Sequence, residues 1–381
     1  MKTTSADVVV IGIGTMGSTT LWRLARAGVR VIGIEQFTPG HDQGSGHGES
    51  RIIRTAYHEG ASYVPLVQSA LAYWRELEAD SGRTLLHLTG ALTIGFPESA
   101  VVRGALRAAH THRLPHEVLE ADALRHRFPQ HTVGDSDVAL YEKKAGILLP
   151  ESSILAATEA ATRHGAHVIT NTRVLGIRAG SGATIEVETQ DQLIHAGHVV
   201  VASGAWTPTL LPQLCPQLTV QRKVLAWFPT RHPADYSPDR FPVFIRETPN
   251  AHWFGFPTLD RRTVKLALHH GGEHTTADEL DRTVRSTDIA PLAELVRTYL
   301  SQLDSRPTRS SVCMYTNTPD GHFLVGHLPD MGQVTVLAGF SGHGFKFASV
   351  LGEAAAQLAI HGETHLPIDT FSPQRFASKT N

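Results

Sequence analysis

The stretch that most restricts the fold of this 381-residue chain lies at its start. Residues 6–11 (ADVVVI) form a β-rich apolar run of the length of a buried strand. The run leads directly into Gly12-Ile13-Gly14-Thr15-Met16-Gly17, which fits G-x-G-x-x-G. A helical pattern follows, with Leu21, Leu24 and Ala25 on one face and Gly28 as its stop, and then a second strand over 29–34 that ends in Glu35. In that order the elements bind a dinucleotide for a physical reason. The first glycine permits a tight turn, the second lets the backbone approach a pyrophosphate, and the third lets helix and strand pack closely. The helix N-terminus offers free N–H groups and partial positive charge to the phosphates. Glu35 is placed to accept hydrogen bonds from an adenosine ribose, and its charge disfavours a 2′-phosphate. The motif does not separate FAD from NAD.

Length and charge narrow the rest. A chain this long suggests about two domains. A formal net charge of −2 gives no electrostatic case for nucleic acid or an anionic membrane. No apolar run approaches the roughly 20 residues of a membrane span. The N-terminal apolar run does not fit a signal peptide, and the C-terminal SKTN is not the peroxisomal tripeptide. Two cysteines, Cys215 and Cys313, cannot build a disulfide framework, so a reducing, cytoplasmic setting is expected. The 23 histidines are scattered, and no metal ligand is assigned among them.

Two later stretches, 172–177 (TRVLGI) and 198–206 (HVVVASGAW), have strand character, and the second breaks into a small-residue turn at Ser203-Gly204. In a doubly wound sheet such a strand could return the chain to the cofactor edge. The middle of the chain is organised differently. LTGALTIGF at 88–96, then KVLAWFPT, FPVFIRE, HWFGFPT and TVKLALHH, are short strands rich in aromatic and β-branched residues, which suggests an antiparallel sheet walling a ligand. A charged helical segment is expected over 276–303. The fold class is therefore α/β and α+β: a Rossmann-like nucleotide-binding domain interleaved with an antiparallel-sheet substrate domain.

Basic residues collect where a carboxylate could bind. In GSGHGESRIIRTAY (44–57), Arg51 and Arg54 are three apart, a spacing that a helical turn brings to one face. Arg54 could hold a carboxylate bidentately, although two arginines alone more often mark a solvated face. Near the C-terminus the strand 334–340 runs into Ser341-Gly342-His343-Gly344-Phe345-Lys346 and a helix start, a second site for negative charge. Lys265, inside TVKLALHH, is by register either a solvent-facing alternate or a buried amine with a function, and on its own the solvent-facing reading is favoured. SVCMYTNTPDG (311–321) reads as a strand carrying Cys313 into a turn.

Taken together, GSGHGESRIIRTAY, FGFPT…KLALHH, CMYTNTPD and GFSGHGFKFASVLGE resemble the monomeric sarcosine oxidase and N-methyltryptophan oxidase family, in order and over nearly the whole chain. The resemblance implies FAD, attached covalently at Cys313 through a thioether to the flavin 8α carbon; Cys215 matches no motif. It implies that Gly12, Gly14, Gly17 and Glu35 bind the ADP part, that Val174 sits by the adenine, and that Ser50, Gly342 and Gly344 also contact the cofactor. His47 and Arg51 match residues beside the flavin ring, and Arg54 with Lys346 the pair that clamps a substrate carboxylate. Lys265 matches a lysine that promotes reaction with oxygen, and His269 and Tyr315 match cavity walls. The implied reaction oxidises the secondary amine of an N-methyl or N-alkyl amino acid with oxygen and water, releasing amino acid, aldehyde and hydrogen peroxide. The implied protein is a monomer whose partners are the amino-acid substrate and molecular oxygen.

The pattern has departures. Phe254 stands where a tyrosine is common ahead of G-F-P, Glu49-Ser50 where Asp-Thr is common, and Gly46 where histidine is common. Phe254 removes a hydroxyl from an expected cavity wall, which leaves open a cyclic imino acid of the pipecolate or proline type, or a fructosyl amino acid. An NAD-dependent dehydrogenase and a non-catalytic flavin-binding protein are the rival readings. The expected division is 1–84, 148–217 and 316–381 for the FAD-binding domain, and 85–147 and 218–315 for the substrate domain.

Overall fold

The computed structural model describes residues 2–182 and 184–379. The opening run is the strand Lys2–Ile11, followed by the helix Thr15–Arg26 and the strand Val31–Ile34. That second strand begins two residues later than the apolar pattern suggests. Gly28, at φ +79°, turns the chain, and the Val29 N–H still bonds back to the Leu24 carbonyl at 3.1 Å. Five strands then lie parallel in the spatial order His167–Ile169, Val31–Ile34, Lys2–Ile11, Gln192–Val201, Met331–Ala338. Chain order reverses at the first strand, so the crevice beyond its carboxyl end is the topological switch point where such sheets bind nucleotides. The 198–206 stretch does return to that edge: Gln192–Val201 pairs with Lys2–Ile11 along its whole length. Leu324–Leu328 and the hairpin Val174–Ala179/Ile185–Thr189 extend the sheet antiparallel. The helices Thr15–Arg26, Val64–Ser81, Pro150–Arg163 and Ala348–His361 pack together over one face.

The second sheet has nine strands. Its path runs His274–Thr275, Thr219–Pro229, Thr263–Leu268, Ala251–Phe256, Val243–Thr248, Ala91–Gly95, Val138–Glu142, Glu117–Glu120, and Arg309–Asn317 also pairs with Thr219–Pro229. The antiparallel expectation holds except between Val243–Thr248 and Ala91–Gly95, which run parallel. One face of this sheet packs Ala226, Phe228, Phe244, Trp253, Val264 and Leu266 against a helix. That helix, Ser286–Tyr299, is shorter than the charged segment suggested, because Arg222 reaches Asp288 and the carbonyls of Asp281 and Thr283 and holds 281–283 as a loop.

The sequence expectation for Arg51 and Arg54 is corrected. Arg51–Ile53 is a strand, paired with Gly146–Leu148, which in turn pairs with Leu86–His87. In an extended chain residues three apart point to opposite faces, so the two arginines diverge. The helical spacing rule does not apply because Ile52 and Ile53, both β-branched, sit in a ladder rather than in a turn. No helix among the described residues is long and apolar enough to cross a membrane.

Candidate active site

One cavity of about 460 Å³ runs from the crevice of the first sheet to the free face of the second. At the first end lie Gly12, Gly14, Glu35 and Val174. Gly12 takes φ +86°, and a Cβ there would meet the Ala202 carbonyl oxygen at 2.7 Å. A Cβ on Gly17 would lie 1.7 Å from the Gly12 oxygen, so Gly17 is the helix–strand packing residue and does not line the cavity. Gly14 is the opposite case. Nothing lies within 4 Å of a Cβ built there, and the helix that begins after it has no side-chain cap. An open cradle of free N–H groups fits a pyrophosphate. The Glu35 carboxylate is fixed by the N–H groups of Ile13 at 2.7 Å and Phe37 at 3.0 Å, which holds it at the cavity wall.

The far wall follows from strand alternation. Successive side chains point to opposite faces, so Lys223, Leu225 and Trp227 share a face with Lys265 and Ala267, with Phe254 and Phe256, and with Cys313 and Tyr315. Register completes the set: Lys223 lies opposite Cys313, Trp227 opposite Lys265, Phe256 opposite Lys265, and Phe254 opposite Ala267. Cys313, Tyr315, Phe254, His269 and Lys265 all line the cavity.

Lys265 is buried, which overturns its solvent-facing reading. Register puts it on the cavity face, and its ammonium donates to the carbonyls of Gly48 at 2.6 Å and Ser50 at 2.8 Å while sitting 4.1 Å over the Phe256 ring. Burial, then the Arg51 charge, pushes its pKa well below the ordinary lysine value against the pull of Glu151, Glu49 and Cys313. The loop that supplies those carbonyls is itself held by Glu151, which accepts from the N–H groups of Gly48 and Glu49. Ser50 thus enters the site through its backbone, and it does not line the cavity.

Cys313 is buried, and burial raises a thiol pKa, but the neighbouring His47 imidazole and the charge of Arg51 outweigh it and bring the thiol to about 7. His47 is buried behind it with Nε2 unpartnered, and does not line the cavity. Arg51 donates to the carbonyls of Ser45, His47 and Ser50 and lies at the cavity edge. The side chain of Cys215 lies outside the described residues.

At the innermost end Arg54 is buried, contrary to a solvated face. It donates to the Ala56 carbonyl and to Glu59 at 2.7 Å each, while its Nε has no partner. Lys346, in the Phe345–Phe347 turn before the last helix, donates to the His343 carbonyl at 2.8 Å and to the Tyr57 hydroxyl at 3.4 Å. Burial, then the Arg54 charge, lowers it to about 7 against the opposing carboxylate of Glu59. Gly342, at φ +80°, brings its backbone against the Tyr315 ring, where a Cβ would lie 2.2 Å away, and Gly344 also lines the cavity. Sequence reasoning missed Glu59, a half-buried carboxylate that Arg54 holds charged against desolvation. Its only signal is one acid five residues past Arg54. Also missed are His58, His252 and His343, all cavity-lining.

A family model described as FAD dependent oxidoreductase matches residues 7–358. The chain is 40% identical over 380 residues to a monomeric sarcosine oxidase of Streptomyces avermitilis, covering 98% of each. It is 36% identical over 376 residues to an N-methyl-L-tryptophan oxidase of Yersinia pestis, covering 97% of this chain and 99% of that protein. Among solved structures, NikD, an amino acid oxidase of nikkomycin biosynthesis, has the same fold, with a TM-score of 0.86 at 23% identity over 97% of this chain and 98% of that one. The match to FAD enzymes answers the choice between FAD and NAD that the glycine motif left open.

Proposed function

From the premise that this chain belongs to the FAD dependent oxidoreductase family, among the sarcosine and N-methyltryptophan oxidases, we propose that it oxidises N-methyl or N-alkyl amino acids with oxygen. The observation that carries the reading is the convergence of Cys313, Lys265 and the Arg54/Lys346 cations on one cavity that begins at a pyrophosphate cradle.

The residues fit FAD along that cavity. Gly12, Gly14 and the helix N-terminus receive the pyrophosphate, with Gly17 packed behind them. Glu35 takes the ribose, Val174 the adenine, and the Gly342–Gly344 turn borders the ring. Cys313, made acidic beside His47 and Arg51, is the thioether attachment point. When bound, FAD supplies the two-electron acceptor and passes the electrons to oxygen. The protein's part is positioning and charge. Arg54 and Lys346 hold the substrate carboxylate, fixing the C–H bond next to nitrogen in one orientation. Burial keeps that contact out of water, and Glu59 neutralises part of the excess positive charge. Phe254, Tyr315 and His269 wall the N-substituent. Lys265, held by the Gly48 and Ser50 carbonyls, places a cation where negative charge grows on oxygen. The balance is secondary amine, oxygen and water in; primary amine, aldehyde and hydrogen peroxide out.

A second reading, a cyclic imino acid, is favoured by Phe254, which makes that wall apolar. The domain division stated from the sequence, a cytoplasmic location and a monomeric state complete the proposal. The test is mass spectrometry of acid-precipitated protein. The Cys313 peptide is expected to carry FAD mass, and purified protein to release peroxide with N-methyl amino acids from a panel that includes cyclic and glycated ones. Flavin that washes free in acid would refute the covalent link, and no peroxide from any member would refute the oxidase.

A further inference from the structure

Three of the scattered histidines meet at the rim of the cavity. His252 begins the cavity face of Ala251–Phe256, and His269 and His270 follow Thr263–Leu268, the strand paired with it. The pairing carries past the ladder: the His269 N–H donates to the His252 carbonyl at 2.8 Å. Ring centroids lie 4.6 Å apart for His252 and His269, 5.0 Å for His252 and His270, and 4.9 Å for His269 and His270. One ring nitrogen from each falls within 4.8 Å of the others, and His252 Nδ1 already sits 3.2 Å from His270 Nε2.

Two nitrogens 3.2 Å apart can share one proton, and the third has no place in that bond. A tetrahedral zinc ion with bonds of about 2.0–2.1 Å sets its ligand nitrogens about 3.4 Å apart. The His252–His270 distance is already near that value, and His270, exposed, is free to rotate toward the third ring. The turn that carries His269 and His270 is pinned, since the buried Lys223 ammonium donates to the carbonyls of His269 and Gly271. That ammonium and the Arg54 guanidinium oppose a further cation at His252, and the Glu59 carboxylate, whose field reaches His252 and His269, acts against them.

We propose that His252, His269 and His270 form a three-imidazole site for a divalent transition-metal ion of the zinc class, and that the bound ion closes the cavity to substrate. His252 and His269 both line the cavity, so an ion bridging them takes up part of the space a substrate would fill. Three protein ligands leave one position open to water, the pattern of an accessible rather than a sealed structural zinc.

The test uses the untagged holoenzyme stripped with chelator and dialysed against Zn²⁺, with Co²⁺ as the spectroscopic probe. One zinc per chain is expected, together with tetrahedral cobalt bands at wavelengths beyond the flavin absorption and zinc inhibition of peroxide release that chelator reverses. His270→Ala, at an exposed position, should weaken zinc binding about tenfold or more and remove the cobalt bands. Zinc affinity unchanged in His270→Ala, or no stoichiometric binding by the wild-type chain, overturns the site. Stoichiometric binding without inhibition overturns the closure. Zinc stoichiometry and the cobalt bands are read without turnover, so the site is tested apart from the oxidase reading, and only the closure rests on that reading.

Discussion

Arg54 and Glu59 have to be read together. A buried guanidinium and a carboxylate that keeps 17% of its side chain exposed, 2.7 Å apart, form a pair whose separation leaves a largely desolvated charge uncompensated. Arg54→Ala should therefore do two things at once: weaken binding of a simple carboxylate such as acetate, and cost about 3–5 kcal/mol of stability through the stranded Glu59. The double variant Arg54→Ala/Glu59→Gln separates them. Denaturant melts should show stability largely restored, while carboxylate titrations stay weak; restored affinity would remove Arg54 from the clamp. Lys346 gives the pH dependence. With its pKa near 7 in the free protein, the amine is charged below that pH and neutral above it. Carboxylate binding is therefore strong on the acid side and must take up a proton on the alkaline side. The dissociation constant should rise about tenfold per pH unit above 7, and Lys346→Met should flatten the curve. Glu59→Gln should move the midpoint down, because Glu59 is the charge that props the lysine up.

At the scale of elements, the glycine turn is the part whose geometry leaves least freedom. Gly17→Ala places a methyl 1.7 Å from the Gly12 oxygen, and backbone atoms cannot yield as a flexible side chain can. The expected cost is about 3 kcal/mol from overpacking alone. Purified Gly17→Ala should be flavin-poor by its absorbance ratio; full flavin content would mean the helix can slide. This turn was legible in the sequence because a run of β-branched residues, three spaced glycines and an acid each carry a local conformational rule. The alternation of Cys313 with Tyr315, and of Phe254 with Phe256, was equally open to reading, and register then put Lys265 on the same face. What stayed hidden depends on partners distant in sequence. Arg51 and Arg54 obey helical or extended spacing according to whether residues 146–148 pair with them. Lys265 is inside because two carbonyls of the 48–50 loop meet it across 217 and 215 residues. Glu59 has no periodicity to announce it, and the three rim histidines become neighbours only when a hairpin closes.

For the molecule as a whole, the cavity is the seam between two sheets whose strands alternate along the chain. The nucleotide crevice belongs to strands at 2–34, 167–201 and 324–338, and the far wall to strands at 219–268 and 309–317. A ligand filling the seam touches both, so its binding energy adds to the stability of both rather than of one domain. The Cys313→Ser variant makes that measurable, since without a sulfur tether FAD exchanges by dialysis. At a free FAD concentration 100 times its Kd, stability should rise by about 2.7 kcal/mol. Two probes report on different parts of the chain. Far-UV circular dichroism follows all helices and strands, and with Trp22, Trp74 and Trp206 each replaced by Phe, tryptophan fluorescence comes from Trp227 and Trp253 in the second sheet. Both transitions should move upward together as FAD is added. If the dichroism midpoint rises while the fluorescence midpoint stays fixed, the ligand is held by the nucleotide crevice alone, and the second sheet is not part of its site.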